Sequence, residues 1–384
     1  MIIDDILSCV LRLPVVRAVG DGTQDVLVVL VRSDSGTVGI GEMHTSPTVG
    51  AAILHAPLSH IRSRGLASVL IGEDPLDIPA CWQRMADATE VYGRRGVAMH
   101  AISGVDLALW DHRGRVERRS VSELLGGRYH EVLRPYASVL MPDTVTEAEA
   151  LAVHCHEAGF TAVKYGWGGL GAGAQQAQAL VSVVRAVDPD ATLMIDIGAG
   201  LPFEVALKVA ELLAPFDIAF LEEPLHPDDL DGFARLRDVC PIPIATGEKE
   251  TSLAGFRELI TRGRPHIVQP DLARAGGFTE VARIHELATS HDIEVIPHCW
   301  STGILVASTC HFIASRETPV PIEFCLEDNP LRRDLATKPI RFDGAGVQVP
   351  DGPGLGIDLD PDVIERFAVA SSHPLDEILE VVAA

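Results

Sequence analysis

A TIM-type (β/α)8 barrel preceded by an α+β unit is the fold predicted by this 384-residue sequence. Three observations predict it. From about Arg134 onward, eight short runs rich in Val, Ile and Leu are separated by helical segments, the pattern of a parallel sheet buried on both faces. The N-terminal third has a different texture, with three strand-like runs followed by helices. Most strands of the alternating region end on a charged or ionisable side chain, as they do where a barrel builds its mouth.

In the N-terminal unit, "IIDDILSCVL", "DVLVVLVRSD" and "GTVGIGE" read as strands, the last two joined by the turn "SDSG". Residues 14–24 read as a loop. "GVAMHAISGVDLALWDHRG" places Val97, Ile102, Val105 and Leu109 at helical spacing, with Gly114 near its expected stop and "LLGG" closing the unit at Gly127. The predicted organisation is an α+β unit over residues 1–127, a barrel over 128–325, and a C-terminal segment over 326–384.

"RPYASVLM" is the first barrel strand. Thr144 and Glu147 offer a capping box for the helix that stops at Gly159. "TAVKYG", "ATLMID", "IAFLEEP", "IPIATGE", "HIVQPD", "EVIPH" and "VPIEF" follow as strands two to eight, with helices between them. The tail "VQVPDGPGLGIDLD" is expected to fold back on the first unit or to seal the barrel.

Composition excludes several classes of function. At 47% hydrophobic residues the chain can bury a large core and is not disordered. A formal net charge of −23 repels nucleic acid and anionic membranes, so neither is an expected partner. No apolar run reaches the roughly 18 residues of a membrane span. The seven cysteines are scattered and form no C-x-x-C, which fits reduced thiols, and "MIIDDILSCV" carries acids where a signal peptide needs bases. A cytoplasmic location is the expectation.

The strand ends carry the chemistry. Lys164 ends the second strand, Asp196 the third, Glu222 and Glu223 the fourth, and Glu248 the fifth. Asp271 ends the sixth, His298 the seventh and Glu323 the eighth, where Glu327 in "CLEDNP" competes. Any one acid after a strand reads equally well as a helix N-cap or a solvated loop residue; the series does not. Asp196, Glu222 and Glu248 are evenly spaced on adjacent strands, so three carboxylates would repel one another unless a divalent cation joined them. All-oxygen ligation with room for substrate favours Mg²⁺. An Asp271–His298 pair would fix the imidazole tautomer and raise its basicity. Lys164 would face an anionic substrate. Metal, cation and base together suit removal of a proton α to a carboxylate.

"LMID", "FLEEP", "IATGE", "VQPDLARAGG" and "VIPHCW", in this order, resemble the mandelate racemase subgroup of the enolase superfamily. So do "IGE" at 40–42, "LALWDHRGR" near 110, "LLGG" and the tail "PDGPGLG". The resemblance covers almost the whole chain. It implies a modified enolase-type barrel under an α+β capping domain built from both chain ends, with Mg²⁺ on Asp196, Glu222 and Glu248. It also implies His298 as base oriented by Asp271, and Glu323 as a partner of the substrate carboxylate. The choice of Glu222 over Glu223 rests on the resemblance alone. A small-molecule carboxylate substrate and an even-numbered homo-oligomer (dimer, tetramer or octamer) follow from it as well.

Two departures narrow the reading. Where the family usually has K-x-K, this chain has Lys164-Tyr165-Gly166; where it often has D-x-N, this chain has Asp196-Ile197-Gly198. Strand side chains alternate, so Gly166 removes an inward base, and Tyr165 should point outward unless a bulge turns it. Trp167 or a bulky substrate would fill the gap. A single base favours dehydration of a sugar acid to a 2-keto-3-deoxy acid, with acid help from His298 or from His44, which follows the third N-terminal strand. The rivals are a cycloisomerase of a sugar lactone or anhydro acid, an epimerase, and a non-catalytic ligand-binding barrel.

Other features have plainer readings. Gly166, Gly168 and Gly171 are spaced as G-x-G-x-x-G, but they follow the second strand of a closed series rather than open a dinucleotide fold. Close packing is the expectation for them. "ARAGGFTE" reads as a βα turn rather than a phosphate site, and His154 and His156 as surface or packing residues. Cys299 reads as packing, and Tyr92 and Arg17 as minor lid candidates. Specificity is expected in the segments 14–25 and 44–56.

Overall fold

The computed structural model describes residues 1–20, 24–44, 46–198 and 200–383. Residues 21–23 and 45, parts of the two expected specificity segments, lie outside the described residues. The N-terminal strands Ile3–Arg12, Asp25–Ser33 and Val38–Met43 form an antiparallel sheet, and the C-terminal strand Ala368–Ser371 adds to its outer edge. The predicted fold-back of the tail therefore reaches the first strand. Val347–Gln348 also pairs with Val132–Leu133, and Val121 N donates to Gly354 O at 2.9 Å.

The helix Val97–Glu117 packs across this sheet. It can do so because Gly39 and Gly41 face it: a Cβ at either would lie 2.0 Å from the carbonyl oxygen of Ala108 or Gly104. Gly114 does not stop this helix, which runs on to Glu117. A Cβ at Gly114 would lie 2.5 Å from Gly354 Cα, so its role is to let the C-terminal tail pass. Tertiary contact, not helix termination, explains that glycine.

Eight parallel strands form the second sheet: Pro135–Leu140, Ala162–Gly166, Thr192–Asp196, Ile218–Glu222, Ile244–Thr246, Ile267–Val268, Glu294–Val295 and Ile322–Cys325. They are barrel strands one to eight below. Strands one to seven pair in sequence order, and the eighth returns to pair with the first. The seventh and eighth are the ends of the ladder, bridged by Cys299 N donating to Glu323 Oε2 at 2.7 Å. Seven full helices lie between the strands, whereas the helix directly after the eighth is the single turn Pro330–Arg333. The late strands are shorter than the apolar runs suggest, so Glu248, Asp271 and His298 sit just past the strands rather than on them.

Thr144 caps the first barrel helix by accepting from Glu147 N at 3.3 Å. Its hydroxyl donates to the Glu147 carboxylate, so the box closes through side chains. Buried Tyr136, Met194, Phe220, Ala245, Ile267 and Ile296 fill the barrel interior below the mouth. Tyr165 lies in the separate apolar layer between sheet and helices, which is the outward direction alternation requires. No helix among the described residues is long and apolar enough to cross a membrane.

Candidate active site

The cap helix Val97–Glu117 is docked on the segment after the sixth barrel strand. Ser103 Oγ accepts from Gly276 N at 2.8 Å, and Asp106 accepts from Thr279 Oγ1 at 2.6 Å and Thr279 N at 3.1 Å. Trp82 Nε1 reaches Gly276 O at 3.1 Å. These bonds place "DLARAGG" under the cap, with Asp271 and Arg274 aimed into the mouth. Gly276 and Gly277 have positive φ, and a Cβ at Gly277 would meet Asp106 at 2.2 Å. That is the βα-turn role expected of "ARAGGFTE".

A cavity of about 280 Å³ opens at the C-terminal ends of the strands. Its lining includes Lys164, Asp196, Glu248, Arg274, His298 and His44. Lys164, Asp196, Glu222, Asp271, Glu323 and His44 are each at most 4% exposed, so their charges meet in low dielectric.

On one side stand Asp196, Glu222 and Glu248, which offer oxygen atoms all within 4.8 Å of one another. Burial and then Glu222 hold the Asp196 carboxyl well above the usual range. Burial also raises Glu222, against the pull of Lys164. Asp196 Oδ1 is buried and accepts no hydrogen bond among the described residues, while Oδ2 accepts from Trp167 Nε1 at 3.0 Å. A crowded all-oxygen set with an orphaned lone pair fits a hard divalent cation such as Mg²⁺. Glu222 is fixed by Lys164 Nζ at 2.6 Å and by Gln269 Nε2 at 2.6 Å.

Glu223, its neighbour, turns away at a φ of +49°, accepting from Thr246 Oγ1 at 2.8 Å and pairing with Lys249 at 2.5 Å. Glu323 rather than Glu327 reaches the mouth: its Oε1 lies 2.7 Å from Lys164 Nζ and accepts from Ser138 Oγ at 2.7 Å. Burial acts to raise Glu323, but Lys164 and His298 outweigh it and hold it at about 2.

On the other side, Asp271 Oδ2 lies 2.7 Å from His298 Nδ1 and 3.3 Å from His44 Nδ1. Burial opposes ionisation of Asp271, yet bonds from His298 and His44 and the nearby Arg274 hold it well below the usual range. His298 Nε2 points toward the carboxylates, 3.3 Å from Glu248 Oε2. Burial lowers His298, but Glu248 and Glu323 prevail and raise it. Burial and Arg274 push His44 down to about 4, so it is a neutral imidazole at physiological pH. Arg274 Nη2 lies 3.0 Å from its Nδ1 and 3.2 Å from its Nε2. The neutral ring keeps a single N–H, and its Nδ1 lies within reach of both Asp271 and Arg274.

The lower-ranked candidates separate from the site. Neither Tyr92 nor Arg17 lines the cavity; the Tyr92 hydroxyl bonds Arg64 O, and Arg17 N bonds Gln24. His154 and His156 are exposed on their helix. Cys299 is buried, and burial raises its thiol well above the usual range, so it is inert packing. The glycines after Lys164 pack tightly: a Cβ at Gly166 would lie 3.1 Å from Asp196 Oδ2, and one at Gly168 1.9 Å from Met141 O.

Five residues went unnoticed in the sequence. Gln269 precedes Asp271 by two, so alternation could have found it. Ser138 pairs in register with Lys164, which sequence does not reveal. Arg274 and Lys249 carried no signal beyond their charge. Glu42, in "IGE", is buried, accepts from the Thr302 hydroxyl and is raised by burial to about 7. It joins the cap to the segment after His298.

The chain is similar to known proteins over most of its length. Residues 5–126 match the mandelate racemase / muconate lactonizing enzyme N-terminal domain, and residues 146–363 the enolase C-terminal domain-like family. A D-galactarolactone cycloisomerase of Agrobacterium fabrum is 34% identical over 89% of this chain and 90% of its own. An L-rhamnonate dehydratase of Saccharopolyspora erythraea is 34% identical over 90% of this chain and 86% of its own. The crystal structure of a 3,6-anhydro-D-galactonate cycloisomerase from Zobellia galactanivorans superposes with a TM-score of 0.87 at 32% identity, covering 96% of this chain and all of that one.

Proposed function

From the premise that this chain belongs to the mandelate racemase / muconate lactonizing enzyme family of the enolase superfamily, we propose that it removes the proton α to the carboxylate of an acid sugar and expels the β-hydroxyl. The product is a 2-keto-3-deoxy acid. The observation that carries this is His298: its Nδ1 is held by Asp271 at 2.7 Å, and its Nε2 faces the cavity beside Glu248.

Asp271 keeps the Nδ1 proton in place, which leaves the Nε2 lone pair to take the α proton. Lys164, fixed between Glu222 and Glu323, presents a permanent cation to the substrate carboxylate. Glu323 orients that cation. Asp196, Glu222 and Glu248 would hold Mg²⁺, which when bound supplies charge stabilisation to an enediolate. The proton on His298 is then available to the departing hydroxyl, which leaves as water. His298 serves as base and then as acid, with His44, which also lines the cavity, the alternative acid.

Incubating the protein with Mg²⁺ and a panel of aldonates and aldarates, and assaying 2-keto acid, tests the reading. Turnover that disappears in His298→Asn is expected. Failure to convert any acid of the panel would count against it. Cycloisomerisation of a lactone or anhydro acid is the second reading, favoured by two of the three relatives, which are cycloisomerases. It uses the same proton removal with a ring oxygen as leaving group. Product NMR distinguishes the two, because only dehydration loses water.

A further inference from the structure

Gly166 and Trp167 stand at the end of the second barrel strand. In the eight-stranded ladder this end lies across the mouth from the sixth and seventh strands, which carry Asp271 and His298. Trp167 and His298 both line the cavity.

The indole is held from several directions. Its N–H donates to Asp196 Oδ2 at 3.0 Å. A Cβ at Gly198 would lie 2.5 Å from the indole nitrogen, and a Cβ at Gly20 2.9 Å from the six-membered ring, so only glycines leave it room. Lys249 Nζ stands 5.4 Å from the ring centre and is itself paired with Glu223 at 2.5 Å. The backbone of Trp167 adopts φ 60° and ψ −146°, a region that an L-residue occupies only when its surroundings impose it. A strained residue clamped at the edge of a reaction cavity points to use rather than accident.

No other group on that side is placed for proton transfer among the described cavity-lining residues. Lys164 is pinned between Glu222 and Glu323, and Lys249 is paired. Gly166 offers no side chain, and a Cβ there would already touch Asp196.

We propose that Trp167 walls off the face of the bound acid opposite His298, so that proton transfer occurs on one face only. This rests on the α-proton-removal reading above. The C–H bond breaks, the proton passes to His298 Nε2, and the electron pair enters the carboxylate as an enediolate. Return is to the same face, with configuration kept. In dehydration the same imidazole protonates the leaving hydroxyl, which departs as water from the face the proton left.

The test presents C2-epimeric pairs to the Mg²⁺-loaded enzyme in D₂O: D-gluconate with D-mannonate, D-galactonate with D-talonate, and the matching aldaric lactones. NMR follows loss of the C2 proton and the configuration of recovered substrate. One member of a pair should react and its epimer should react about 100-fold more slowly, the effect of lacking a positioned base. Trp167→Ala should let solvent reach the second face, seen as C2 epimer in recovered substrate. Trp167→Phe, which keeps the wall but loses the N–H to Asp196, should retain the discrimination. Both epimers reacting within about tenfold in the wild type would overturn the wall while leaving proton removal standing. No reaction with any acid would overturn proton removal and this inference with it.

Discussion

The two sides of the mouth hold the same kind of residue in opposite states. Asp196 and Asp271 are both buried carboxylates past or at the end of a barrel strand. Asp196 faces Glu222 and Glu248 and is held well above the usual range. Asp271 faces His298, His44 and Arg274 and is held well below it. Burial works against the charge in both cases; neighbours supplied by other elements decide the outcome. One side thus stores a repulsion that a cation would relieve, and the other holds a fixed negative charge beside the His298 imidazole.

The sharpest way to break this contrast is to remove the base. His298→Asn should lower α-proton exchange by about 10³-fold or more, measured by NMR in D₂O. Asp271→Asn should follow at about 10²-fold in kcat with KM little changed, because the imidazole loses its anchor while the metal side stays intact.

On the carboxylate side, Mg²⁺ should raise the thermal midpoint. Binding at 100 times Kd corresponds to about 2.7 kcal/mol. Asp196→Asn should abolish most of that rise, and a rise unchanged in this variant would place the cation elsewhere. His44→Gln should cost about tenfold in kcat, since it supports Asp271 rather than donating a proton. A loss as large as that of His298→Asn would restore His44 as an acid.

The smallest effect concerns the dock between cap and barrel. Burial raises Asp106 to about 7 from its ordinary 3.8. The folded state therefore binds more protons than the unfolded state between these values, so this group's contribution falls as pH rises from about 4 through 7 and is flat above. Asp106→Asn should remove a stability loss on the order of 2 kcal/mol across that window, read from urea midpoints at pH 5 and pH 8. Equal slopes in both proteins would assign the loss to other buried acids such as Glu42.

How far the site could be read from sequence depended on the element. Alternation along "AVKYG" placed Lys164 inward and Tyr165 outward, and the structure agrees because period two is a local backbone property. The same reasoning separates Gln269 and Asp271 from their neighbours. It could not foresee that Gly114 would serve a passing tail, that Trp167 would bond Asp196, or that Arg274 would sit against His44. These contacts join segments far apart in the chain, and a loop residue has no period to betray its direction.

The sequence by itself determined the order of strands and helices, the inward series of ionisable residues at the strand ends, and the lack of a side chain at Gly166, the inward position after Lys164. These follow from local periodicity and residue chemistry. Only the tertiary structure decided which carboxylate of the Glu222–Glu223 pair faces the mouth, that burial and Arg274 push His44 down, and that an indole lines the cavity beside Asp196. Protonation and occupancy depend on what distant elements bring within a few ångströms, and folding alone sets those distances.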